Sequence, residues 1–196
     1  MTLEPAPESL QGPFPEVRLS LPSWIESFVV RRRYRDEEDR MRLAVDLSLE
    51  NVRQGTGGPF GAAIFTEEGF VAGVGVNGVT RLLNSMAHAE VVAIMMAQRP
   101  LHAFSLRETS LGPLTLYSSC DPCLMCLGAT LWSGVSALVT GASKEDAEAL
   151  GFDEGPVTAA SYDHLVGRGI AVRRGVLREE ARKAFLLYRD SGGEIY

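Results

Sequence analysis

The sequence predicts an α/β protein, a layer sandwich in which helices cover a partly parallel, five-stranded sheet. Strand-like and helix-like segments alternate along the chain, and no internal repeat interrupts them. The strand-like segments are rich in small, β-branched and glycine residues, which suits a sheet covered on both faces. With 196 residues, 45% of them hydrophobic and 22% charged, the chain is long enough to bury a sizeable core.

The chain begins with a segment that we expect to be an arm, residues 1–33, ahead of a main domain, residues 34–196. Five prolines within residues 1–22 argue against a packed element there. The stretch SWIESFVV predicts a short amphipathic helix that ties the arm to the domain. Residues 36–53 fit an amphipathic helix that ends at the glycines of residues 55–58.

The central part of the domain predicts a hairpin and then alternating elements. FGAAIFTE and GFVAGVGVN are strands joined by a short turn, and a loop at residues 78–85 leads to the helix MAHAEVVAIMMA, capped by Ser85. The remaining predicted elements, in order, are strand PLTLYSS, helix PCLMCLGATLWSG, strand VSALVTGA, helix SKEDAEALG, loop GFDEGP, strand GIAVRR and helix LREEARKAFLLYRDSGG.

Charge and hydropathy narrow the class of protein. No apolar run reaches the roughly 20 residues of a membrane span, and the first thirty residues lack a secretory signal, so we expect a cytoplasmic protein. The net charge of -6 argues against a nucleic-acid partner. The basic cluster at residues 31–35 is followed at once by acidic residues, which is typical of a solvated helix start.

All three cysteines lie within seven positions, at Cys120, Cys123 and Cys126. Cysteines this close together cannot form disulfides between distant parts of the chain. We therefore expect free thiols with a metal or catalytic role in a reducing compartment. Upstream, His88 and Glu90 stand at the start of an otherwise apolar helix.

An imidazole and two thiolates are ligand types that Zn²⁺ prefers, and we predict a zinc ion held by His88, Cys123 and Cys126. Three protein ligands leave a fourth position for water, which is typical of a catalytic site. Two further histidines, His102 and His164, lack ligand spacing.

The local geometry around these ligands can also be predicted. Asp121 is expected to cap the second helix with Pro122 at its first position, so that the helix start lowers the pKa of both ligand thiols. On an ideal helix His88 and Glu90 point roughly 200° apart, so Glu90 is expected to act as a general acid and base rather than as a ligand. Cys120 is expected to be a bystander.

The pattern H-x-E followed by P-C-x-x-C is the known signature of zinc-dependent deaminases. Together with GGPFGAAIF, GVNGVT, GATLWSGV and EDAEALGFDEGP, it resembles the cytidine deaminase-like superfamily and, within it, the guanine deaminase branch. The resemblance spans roughly residues 57–156 and extends to the C-terminal helix. It implies a three-layer α/β/α sandwich with a mixed five-stranded sheet, and hydrolysis of guanine to xanthine and ammonia.

The resemblance also implies roles for single residues. Glu90 is the proton carrier, Glu154 helps to position or protonate the substrate, Asn77 hydrogen-bonds the base, and Phe60 flanks the pocket. The family is homodimeric, with a C-terminal segment that closes the partner's pocket and gives Ile195 a contact role. The full set of expected substrate contacts is Asn77, Phe60, Ala62, His88, Trp132, Asp153 and Tyr196; for Trp132 a place in the hydrophobic core is the stronger expectation.

The sequence departs from the family pattern at two places, and neither removes a ligand. Ser85, Met86 and Ala87 precede the histidine where the family usually has D-P-T-A-H-A-E, which alters the pocket wall, and Asp121 replaces a glutamate. Another small amino-heterocycle, such as a nucleoside, cytosine or an aminotriazine, therefore stays open as the substrate. A tRNA adenosine deaminase is disfavoured by the mixed charge of the C-terminal helix, and a zinc-binding scaffold has no need of Glu90.

Overall fold

The structure, a computed structural model, describes residues 16–196, so the first fifteen residues of the predicted arm lie outside it. Helices and strands alternate along this range as the sequence predicts. The elements are α1 Ile25–Phe28, α2 Glu37–Arg53, β1 Gly61–Thr66, β2 Val71–Val76, α3 Val79–Leu82, α4 Ala89–Gln98, β3 Leu114–Cys120, α5 Leu124–Ser133, β4 Ala137–Ala142, α6 Lys144–Glu148, α7 Ala159–Gly167, β5 Ala171–Arg173 and α8 Arg178–Asp190.

The five strands form one mixed sheet in the order β2-β1-β3-β4-β5. β1 pairs antiparallel with both β2 and β3, whereas β3, β4 and β5 run parallel. The predicted hairpin and partly parallel sheet are therefore confirmed. Cys120 at the end of β3 pairs with Ala142 at the end of β4, so the segments that follow these two strands start from the same edge of the sheet.

Alternating side chains of β1 divide the core into two layers. Ala63 and Phe65 pack with buried residues of α2 and α8 on one face. Ala62 and Ile64 pack with residues of α4 and α5 on the other. Because successive strand residues point to opposite faces, a fully buried β1 requires cover on both sides. The predicted three-layer α/β/α sandwich is confirmed.

Two helices were not predicted from the sequence. α3 is a single turn within the expected loop and ends at Leu83, whose φ of 49° is left-handed. α7 follows a capping box in which the Thr158 side chain accepts from the backbone N–H of Ser161 and the Ser161 side chain accepts from that of Thr158. Both helices are short, and an apolar periodicity cannot be recognised over so few residues.

The described part of the arm lies against the domain. Ile25 of α1, 3% exposed, belongs to the core beneath α2, and Arg81 of α3 donates to the carbonyl of Ser20 at 2.6 Å. Within residues 16–196, no helix has both the length and the apolar character of a membrane span. The domain boundary at residues 33 and 34 stays a prediction.

Candidate metal and catalytic site

Three side chains from two helix starts converge at the edge of the sheet where β3 ends. His88 is the N-cap residue of α4, Cys123 is the N-cap residue of α5, and Cys126 lies in the first turn of α5. The ligand atoms of these three residues all lie within 4.8 Å of one another. Cys123 Sγ lies 3.5 Å from His88 Nδ1. Among the described residues, no other His, Cys, Asp or Glu joins this group.

The donor set fits a zinc ion. One imidazole and two thiols at this separation can occupy three corners of a tetrahedron, which leaves one corner for a small ligand. The hydrogen bond with Cys126 lowers the pKa of the Cys123 thiol to about 4, with a further contribution from His88. Cys123 can therefore be a thiolate at neutral pH, the form of cysteine that binds metals. The pKa of the Cys126 thiol is instead raised by its hydrogen bond with Cys123 and by burial, so the predicted lowering of both pKa values is wrong for Cys126.

Asp121 and Ser85 do not cap the two helices, contrary to the prediction. The Asp121 carboxylate instead accepts from Thr140 Oγ1 at 2.6 Å and from the Arg174 guanidinium. These partners come from β4 and from the segment after β5, and they outcompete a local cap that would form within one turn. The candidate metal ligands His88 and Cys123 themselves take the extended N-cap conformation, with ψ of 153° and 172°.

Glu90 lies beside the three ligands and is only 6% exposed. Its Oε2 accepts a hydrogen bond from Cys126 Sγ at 3.4 Å, and burial raises the pKa of its carboxyl group. The ideal-helix angle between His88 and Glu90 does not apply, because His88 precedes the helix and has extended backbone. Both side chains can therefore face the same space.

A cavity of about 250 Å³ opens above these residues. It brings together most of the residues that the sequence points to, and burial raises the pKa of the Glu154 carboxyl group there to about 8. The lining residues are Phe60, Val79, Ser85, His88, Glu90, Asp121, Cys123, Phe152, Asp153, Glu154 and Tyr196.

Aromatic rings form one wall of the cavity. The centroid of the Phe152 ring lies 5.0 Å from that of Phe60 and 5.5 Å from that of Tyr196, in edge arrangements. Sequence reasoning missed Phe152, although it stands directly before Asp153 in the segment GFDEGP. Tyr196 lines the cavity of its own chain, whereas the resemblance implies a contact with the partner's site.

Asn77 presents an unused donor near this wall. Its Oδ1 accepts from the backbone N–H groups of Gly58 at 3.4 Å and Val79 at 3.2 Å. Its Nδ2 is buried and has no hydrogen-bond partner among the described residues. A buried amide donor without a partner costs free energy, so this group is suited to a ligand that supplies the acceptor.

The cavity lining does not include Asn77 or Cys126, nor Ala62, Trp132 and Cys120. Ala62 is fully buried in the core beneath α4 and α5. Trp132 is 74% exposed, so neither the substrate contact nor the core position expected for it is found; it lies on the solvent side of α5. Cys120 is buried, and its thiol contacts the carbonyl of Ser143 at 3.6 Å, apart from the three ligands.

Comparison with known proteins agrees with this geometry. Residues 34–142 match the family described as the cytidine and deoxycytidylate deaminase zinc-binding region. A guanine deaminase of Bacillus subtilis is 41% identical over 119 residues, which are 61% of this chain and 72% of that protein.

Solved structures also show a similarity to guanine deaminases. A guanine deaminase from Nitrosomonas europaea superposes with a TM-score of 0.85 at 35% identity, covering 91% of this chain and 100% of the other. A structure in complex with 2,6-diaminopurine superposes with a TM-score of 0.86 at 37% identity, covering 92% and 96%. Together with the ligand set and the fold, these matches show that the chain belongs to the cytidine deaminase-like family of zinc deaminases, in its guanine deaminase branch.

Proposed function

We propose that this protein is a zinc-dependent deaminase that hydrolyses guanine to xanthine and ammonia. The observation that carries the proposal is the buried Glu90 carboxylate beside an open three-ligand group, at the base of a cavity with aromatic walls. The guanine deaminases among its relatives, and the purine analogue bound in one similar structure, support a purine base as the substrate.

His88, Cys123 and Cys126 would hold the zinc ion. When bound, zinc supplies Lewis-acid activation of water at neutral pH. The cavity beside the ligands leaves room for a water molecule and a base, and the thiol sulfurs are mostly enclosed by protein, since Cys123 is 8% exposed and Cys126 is fully buried.

Glu90 would move the protons of the reaction. Its carboxylate accepts a proton from the attacking water, and the new bond joins the water oxygen to C2 of guanine. The same carboxyl group passes that proton to the ring nitrogen and then carries a second proton from the added hydroxyl to the amine. The bond between C2 and the exocyclic amine nitrogen breaks, neutral ammonia departs, and xanthine is left.

Asn77 and the remaining residues of the cavity lining would hold the base. Asn77 Nδ2 donates to an acceptor on the purine edge, and Glu154 hydrogen-bonds the edge that faces it. Phe60, Phe152 and Tyr196 enclose the flat ring, which excludes water from the reacting carbon. The net charge of -6 and the mixed charge of α8 do not favour a tRNA partner.

A substrate panel tests the proposal. Ammonia release by the zinc-loaded protein is measured with guanine, guanosine, adenine, cytosine, an aminotriazine and a tRNA anticodon stem-loop at equal concentrations. We expect guanine to give the highest kcat/KM, with xanthine as the product. A higher kcat/KM for a nucleoside, a pyrimidine or the tRNA would overturn guanine as the substrate and leave deaminase chemistry in place.

The variant Glu90→Gln tests the proton carrier. The amide keeps the shape of the side chain but cannot accept the proton, so kcat for guanine should fall by about 10²- to 10⁴-fold while the zinc content stays at one ion per chain. Glu108→Gln, in the exposed loop before β3, is the matched control and should retain full activity. A near-normal kcat in the zinc-loaded Glu90→Gln protein would refute the assignment.

A further inference from the structure

A chain of hydrogen-bonded side chains connects the arm with the substrate pocket. Trp24, at the start of α1, donates from Nε1 to Thr56 Oγ1 at 3.0 Å. Thr56 Oγ1 donates to Asn51 Oδ1 at 2.7 Å. Asn51, near the end of α2, donates from Nδ2 to the carbonyl oxygens of Gly58 at 2.8 Å and Asn77 at 2.9 Å. The chain of hydrogen bonds therefore ends on Asn77, whose Nδ2 has no hydrogen-bond partner among the described residues.

Asn51 is completely buried and uses both ends of its amide. It joins α2 to two separate backbone segments, and one of these, the end of β2, lies 26 residues away in the sequence. A residue whose only role was to end α2 would form its hydrogen bonds within the last turn of that helix. Asn51 therefore serves the relative position of the Gly58 and Asn77 segments.

The position of these two segments decides where the Asn77 amide points. The Gly58 carbonyl is held by Asn51, and the N–H of the same residue donates to Asn77 Oδ1. With the N–H of Val79 as a second donor, the oxygen of the Asn77 amide is fixed toward the backbone and Nδ2 is directed away from it. A shift of the Gly58 segment would release this constraint.

The backbone of Gly57 lies close to that of Asn77. A Cβ at Gly57 would overlap the carbonyl group of Asn77 and would lie 3.0 Å from Asn51 Nδ2. The Gly57 segment can therefore lie against Asn77 only because it carries no side chain, and a small movement changes the hydrogen bonds on both sides.

Thr56 and Trp24 decide which way the Asn51 amide is turned. The Trp24 N–H occupies an acceptor position of the Thr56 hydroxyl, so the hydroxyl directs its proton to Asn51 Oδ1. With the oxygen held in this way, Nδ2 must face the two carbonyls. We propose that Trp24, Thr56 and Asn51 form a positioning relay through which the arm orients the Asn77 amide for the purine, an inference that rests on the proposed function.

The test uses the zinc-loaded full chain with two variants that remove one proton donor each. Thr56→Val keeps the shape of the side chain and removes the hydroxyl, whereas Trp24→Phe keeps an aromatic ring and removes the N–H. We measure KM and kcat for guanine, and the Kd of the product xanthine, which cannot turn over, by titration calorimetry. Both variants should raise the KM and the xanthine Kd by about five- to tenfold, the worth of one net hydrogen bond, with kcat reduced less.

Two controls separate positioning from general destabilisation. Thr56→Ser restores the hydroxyl and should return both constants to within about twofold of the original protein. Thr109→Val removes another buried hydroxyl, one that has no hydrogen-bond partner among the described residues, ahead of β3, and should leave both constants unchanged.

A double-mutant cycle shows whether the effect passes through Asn77. If it does, Thr56→Val should lower kcat/KM for guanine by less than about twofold in an Asn77→Ala background. An undiminished effect in that background, or an unchanged xanthine Kd in both Thr56→Val and Trp24→Phe, would overturn the relay and leave the proposed function intact. An unsubstituted protein that neither releases ammonia from guanine nor binds xanthine would overturn the proposed function and the relay with it.

Discussion

At the scale of single residues, the three cysteines lie in different surroundings although each is only three positions from the next. Cys123 and Cys126 face His88, while Cys120 ends β3 and points to the carbonyl of Ser143. The start of α5 therefore supplies both candidate ligands, whereas the thiol at the end of β3 lies outside the metal group. The sequence anticipated this division, because P-C-x-x-C includes only the second and third cysteines.

The different surroundings of Cys123 and Cys120 predict different results when each is replaced by serine. Cys123→Ser replaces a thiolate ligand by a hydroxyl, so the purified protein should hold much less than one zinc ion per chain and lose guanine deamination. Cys120→Ser, the matched control, should keep one zinc ion per chain. Zinc is measured by atomic emission, and full zinc occupancy in Cys123→Ser would contradict the ligand assignment.

At the scale of the elements, the start of α5 is anchored by Asp121 and not by a local cap. The Asp121 side chain is 2% exposed and pairs with Arg174, whose side chain is 43% exposed, while Thr140 donates to the same carboxylate. The Arg174 guanidinium also lies 4.4 Å from the centroid of the Tyr162 ring. The helix start that carries the two thiols is thus joined to β4 and to the segment after β5.

Replacement of Arg174 should show how much the buried Asp121 carboxylate destabilises the fold without its cation. Arg174→Gln should lower the free energy of unfolding by about 2–4 kcal/mol, because Asp121 would stay buried without its charge partner. Arg173→Gln is the neighbouring control, since that side chain is 68% exposed and pairs with Glu37 at the surface, and its effect should be under about 1 kcal/mol. Urea unfolding of both variants checks this, and equal losses would contradict the anchor.

A second connection joins α6 to α8 and depends on pH. Asp146 caps α6 together with Ser143, accepts a hydrogen bond from Arg178 Nε at 2.7 Å and forms an ion pair with Arg182 at 3.2 Å. The hydrogen bond with Arg178 lowers the pKa of the Asp146 carboxyl group to about 2. Because the folded pKa is lower than the unfolded value, this stabilisation is present above about pH 4 and is lost as the pH falls toward 2.

Asp146→Asn should therefore destabilise the protein at pH 7, and its difference from the unsubstituted protein should shrink between pH 4 and pH 2. Urea unfolding at pH 7, 5 and 3 measures this difference. Asp190→Asn, in the exposed pair with Arg189, should have no effect at any of these pH values. A difference that is independent of pH would show that the charge of Asp146 is not the cause.

At the scale of the whole molecule, the chain returns to its own active site at its last residue. After α8, Tyr188 Oη donates to the carbonyl of Glu194 at 2.6 Å, and Tyr196 reaches the cavity beside Phe152. The burial of Tyr196 raises the pKa of its phenol. A homodimer that exchanges C-terminal segments, as the resemblance implies, would place the same tyrosine in the partner's cavity.

Subunit mixing distinguishes the two arrangements. Chains with Glu90→Gln and chains with Tyr196→Ala are co-expressed with different tags, and the mixed species is assayed with guanine. If Tyr196 serves its own chain, as in the structure, each site keeps one defect and activity does not recover. Recovery to about half of the activity of the unsubstituted protein would show that the segment crosses to the partner. Mixing each variant with the unsubstituted chain is the control.

The sequence alone predicted the order of nearly all strands and helices, the mixed sheet, and the residues proposed to bind zinc and to carry protons. These follow from local periodicity and from side-chain chemistry, which neighbouring residues express without help from the rest of the chain. Only the tertiary structure decided that His88 and Cys123 are N-cap residues, that Phe152 lines the cavity and that Trp132 faces solvent. It also decided that Asn77 Nδ2 is buried without a hydrogen-bond partner within residues 16–196. Each of these features depends on contacts between residues that are distant in the sequence. Arg174, for example, is 53 residues from Asp121 and binds the carboxylate that was expected to cap α5. Competition between local and long-range hydrogen bonds is settled only when the layers pack.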